Sequence, residues 1–121
     1  MDYRIYIYII TQLATRKFVV LPLGRDQIVC RIEEGEGGWR ISLKLSSLQL
    51  TKCSRQIQEC FAIRQRVNFF HGTDLVINHT EGPGVYLVKT TSSIQQYSPL
   101  KQFIEEMIEE VDDFKQLFSI T

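Results

Sequence analysis

The sequence predicts an α+β domain: an antiparallel, twisted sheet of about five strands covered by three helices, in the order α-β-β-β-α-β-β-α. Three observations lead there. EEGEGG at 33–38 and HTEGPG at 79–84 each lie between two apolar runs, and their glycines suit the turns of β-hairpins. The apolar runs beside them alternate with a period of two. The stretch YSPLKQFIEEMIEEVDDFKQLF, residues 97–118, repeats apolar residues at steps of three and four, the spacing of one helix face.

Taken in order, residues 3–10 are dominated by Tyr and Ile, which favours a strand. Helical spacing is equally available through Tyr3, Tyr6, Ile7, Ile10, Leu13 and Ala14. Local sequence leaves both open, and the element order above takes the helix. KFVVLPLG then reads as extended, with Pro22 marking a strand end or a sheet edge. The first hairpin pairs DQIVCRIEE with WRISLKL. There Ile28, Cys30 and Ile32 alternate with Val29 and Arg31, and Trp39, Ile41, Leu43 and Leu45 alternate with Arg40, Ser42 and Lys44.

SRQIQECFAIRQRVNFF reads as a middle helix of about four turns, with Ser54 as N-cap and Ile57, Cys60, Phe61, Arg64, Val67 and Asn68 at helical steps. The second hairpin pairs TDLVINH with GVYLVKT. In the last helix Ser98 can cap and Pro99 suits the first helical position, where a missing N–H costs nothing. Leu100, Phe103, Ile104, Met107, Ile108, Val111, Phe114, Leu117 and Phe118 form a wide stripe along roughly 30 Å of helix. Such a stripe needs an apolar surface of its own width, and a sheet supplies one.

The 121 residues suit one domain spanning the whole chain, with enough length for a core that needs neither disulfide nor metal. Apolar residues at 44% and charged residues at 23% exclude wholesale disorder. A formal net charge of zero argues against a protein that wraps nucleic acid. The charge is uneven: the last helix holds six acids against two bases, and the rest of the chain eight acids against twelve bases. Cys30, Cys53 and Cys60 form an odd, unpatterned set, which points to a reducing compartment. The apolar start, YRIYIYII, is too short for a membrane span, and no small-residue cleavage site follows it. The expectation is a cytoplasmic chain with no membrane contact.

No chemistry stands out. Cys53 and Cys60 are spaced too far apart for a zinc pair, and His71 and His79 complete no ligand set. Cys60 with His71 makes a nucleophile–base pair on paper, but no third group orients the histidine. The carboxylate pairs Glu105/Glu106, Glu109/Glu110 and Asp112/Asp113 fall on the outer face of the last helix, whereas acid–base work needs a perturbed carboxylate in a cleft. Neither glycine-rich stretch is followed by the Lys-Ser/Thr pair of a phosphate-binding loop. The reading is a non-enzymatic protein without a cofactor. What remains is hydrophobicity: the Tyr and Ile residues of the first ten positions, with Val19, Val20, Leu21, Leu23 and Trp39, are many large groups for a small domain. Apolar side chains that a core cannot absorb mark a partner site.

The middle segment ending in Val67-Asn68-Phe69, the strands GTDLVIN and GVYLVKT, the connection SSIQQYSP and the helix LKQFIEEMIEEVDDFKQLF together resemble the small effector chaperones of bacterial type III secretion, the Tir-chaperone-like family. RDQIVCRI and WRISLKL resemble that family's sheet strands, so the likeness covers most of the chain, though as a pattern without a diagnostic motif. It implies a helical N-terminus and a homodimer packed through the middle helix, with Ile57, Phe61, Arg64 and Val67 at the interface. It also implies a protein client, the extended N-terminal segment of a secreted effector, held in apolar grooves. By position and residue type those grooves map onto Tyr6, Ile7, Ile10, Leu13, Val20, Leu23, Trp39, Ile41 and Leu43. The acidic last helix would keep such an apolar protein soluble. Members of the family are typically acidic overall, and this chain is neutral. Two other readings stand beside it: a small α+β regulatory scaffold resembling the roadblock or longin folds, and a small enzyme using Cys60 or His71.

Overall fold

The computed structural model describes residues 1–25, 27–44, 66–69, 73–79 and 82–117. Over those residues the chain is α+β: α1 (Tyr3–Arg16), β1 (Phe18–Leu23), β2 (Ile28–Gly35), β3 (Gly38–Lys44), β4 (Arg66–Phe69), β5 (Thr73–His79), β6 (Gly82–Thr91) and α2 (Tyr97–Leu117). The strands form one antiparallel sheet in the order β1-β2-β3-β6-β5-β4. The sheet therefore has six described strands where about five were expected. Of the three expected helices, two are described, and most of the middle one lies outside the described residues.

At residues 3–16 helical spacing prevails over strand propensity. The Asp2 side chain caps the helix by accepting from the Ile5 N–H at 3.0 Å, and Tyr6, Ile9 and Leu13 turn inward. The helix stops at Lys17, whose φ of 68° is left-handed and whose N–H donates to the Leu13 carbonyl at 3.2 Å. A residue with a Cβ is strained there by about 1 kcal/mol. In return the chain reverses within one residue, and β1 runs back beneath α1.

Register follows from the alternation read in the sequence. Val19, Leu21 and Leu23 stand opposite Ile32, Cys30 and Ile28, and Ile32 and Cys30 in turn stand opposite Ile41 and Leu43. Leu43 stands opposite Leu87 of β6. Every one of these side chains is buried, and all join one cluster with Tyr6, Ile9 and Leu13 of α1 and Leu100, Ile104, Met107 and Val111 of α2. Both helices thus lie on one face of the sheet, here called the near face. Pro22 sits in an edge strand, where proline is tolerated. Gly38 is required where β3 meets β6, because a Cβ there would run into the Thr91 carbonyl oxygen.

Three expectations need correction. Val67 and Asn68, assigned to the middle helix, belong to β4, with Val67 opposite Leu75 and Asn68 opposite Asp74. The segment RVNF alternates polar and apolar residues, and pairing with β5 satisfies its backbone as a strand rather than as a helix end. The number of strands rises for the same reason. Lastly, α2 starts at Tyr97, so Ser98 lies inside its first turn instead of capping it, and the Leu100 N–H already donates to the Gln96 carbonyl at 3.3 Å.

Candidate functional site

The near face uses most of the residues assigned to client grooves. Tyr6, Leu13, Leu23, Trp39, Ile41 and Leu43 are all buried within the chain's own core. They are among the residues that bring the two helices onto the sheet, so they offer no open groove on the described surface. Ile10 and Val20 are half-buried, and Ile7 is exposed. Of the expected dimer contacts, Ile57, Phe61 and Arg64 lie outside the described residues, and Val67 is in β4.

The surface also carries exposed apolar groups, of which the mapping included Ile7 alone. On α1, Tyr3, Ile7 and Tyr8 are 58%, 45% and 48% exposed. At 100° per residue, Tyr3 and Ile7 fall to one side of the buried stripe and Tyr8 to the other. On the far face of the sheet, Phe18 of β1 and Val29 of β2 are 39% and 37% exposed, with Pro22 also open to solvent. Strand alternation had already set Val29 apart from the inward Ile28, Cys30 and Ile32. That alternation was the available signal for the exposed position of Val29.

Charge on the far face is organised around these groups. The Arg31 guanidinium lies over the Phe18 ring at 4.6 Å and reaches Glu33 at 3.4 Å, while Arg40 approaches Glu33 at 3.6 Å. Further along, Ser42, Asp74, Tyr86 and Val88 on this same face are buried. On the near side, Lys89 of β6 donates to Glu110 of α2 at 3.1 Å and lies 5.4 Å from the Phe103 ring, tying α2 to the sheet. The other acids of α2, Glu105, Glu106, Glu109, Asp112 and Asp113, face solvent.

Candidate chemistry is thin among the described residues. Cys30 is fully buried, and burial pushes its thiol up to about 12, far from a reactive thiolate. The Ile5 N–H, followed by smaller contributions from the Arg4 N–H and charge, holds the Asp2 carboxyl below its ordinary value, which is the signature of a helix cap. Among the described residues no group of three or more His, Cys, Asp and Glu gathers at metal-binding distance. Cys53, Cys60 and His71 lie outside the described residues. A cavity of about 380 Å³ opens where α1, the end of β1 and α2 meet, walled by Ile5, Leu23, Ile104 and Ile108 and rimmed by Asp2 and Glu105. No described helix is long and apolar enough to cross a membrane.

No protein-family model, curated protein or solved structure matches the chain.

Proposed function

We propose that this protein is a non-catalytic chaperone of the type III secretion kind, which binds the extended segment of a secreted client as a homodimer and keeps it soluble and competent for export. The observation that carries the reading is the set of five large apolar side chains, Tyr3, Ile7, Tyr8, Phe18 and Val29, left exposed beside a well-packed core. They lie on both sides of the sheet around one edge strand rather than in one flat patch. An extended segment can follow such a surface with successive side chains, and it needs no cofactor to do so. The acid-rich outer face of α2 supports the same reading, because it repels non-specific association of an apolar surface.

The test is capture of the client from the native host with the tagged chain, followed by limited proteolysis. A client protected over one stretch of tens of residues is the expected result. Val29→Asp combined with Ile7→Asp changes only exposed positions, so it should weaken capture at least tenfold while leaving the unfolding free energy within about 1 kcal/mol of the parent. Capture of a folded partner, or capture untouched by the double variant, removes the chaperone reading and favours the regulatory scaffold.

A further inference from the structure

We draw no further inference here: the strongest candidate, the apolar surface patch of Phe18, Pro22 and Val29 on the far face of the sheet, carries nothing beyond the function already proposed, because nothing in the structure shows what covers it.

Discussion

The two faces of β1 and β2 are built from alternate residues of the same strands, yet they behave as different materials. On the near face, Val19, Leu21, Leu23, Ile28, Cys30 and Ile32 interlock with both helices and lose all but a trace of solvent contact. On the far face, Phe18, Pro22 and Val29 remain open, and Arg31 and Glu33 hold each other across the surface. A one-residue step along a strand moves a side chain from the interior to the surface. The stability of β1 and β2 therefore rests on their near face, so substitutions there should be felt in folding, while the proposed function predicts that those on the far face are felt in association.

The largest expected effect tests the packed face. Ile41 is wholly buried, and Ile41→Ala should cost about 3 kcal/mol in chemical denaturation. Val29→Ala on the open face should cost under about 0.5 kcal/mol. Equal losses at the two positions would show that both faces are packed alike. Next comes Gly38→Ala, in which the new methyl would meet backbone of β6; a loss of about 2 kcal/mol is expected, with altered amide shifts at Thr91 and Ser92.

Smaller effects sharpen the same contrast. Lys89 and Glu110 are each 21% exposed, so their ion pair is partly screened, and Lys89→Met should cost about 1 kcal/mol and reduce the salt dependence of stability. Cys30 should resist alkylation in the folded state at pH 8 and react only on unfolding. Its thiol has a higher pKa folded than unfolded, so its contribution to stability is complete below the unfolded value near 9 and declines as pH rises from there towards about 12. The smallest effect is at Asp2. Its folded pKa is lowered, so the cap stabilises fully above the unfolded value and its contribution fades as pH falls through the folded one. Asp2→Asn should retain the cap while flattening that acid limb, as read by exchange of the Ile5 amide.

The surface was only partly legible in the sequence, and the reason is specific. Composition showed that large apolar side chains were in excess, but whether a given one lies under a helix or in solvent depends on which face the helices choose. Trp39, Ile41 and Leu43 look like groove residues until α2 is laid on them, and Phe18 and Val29 look ordinary until both described helices settle on the opposite face. Cys30 illustrates the same limit: its alternation with Val29 was plain, while the near-face packing that silences its thiol was not.

The sequence by itself determined the two hairpins and the terminal helix, and narrowed Pro22 to a strand end or a sheet edge, because turn glycines, two-residue alternation and a missing N–H act over a few neighbouring residues. Only the tertiary structure decided that residues 3–16 are helical, that Arg66–Phe69 is a strand and that both described helices share one face. Those outcomes depend on apolar area buried between segments far apart in the chain. Such burial outweighs local propensities that differ by about 1 kcal/mol or less per residue.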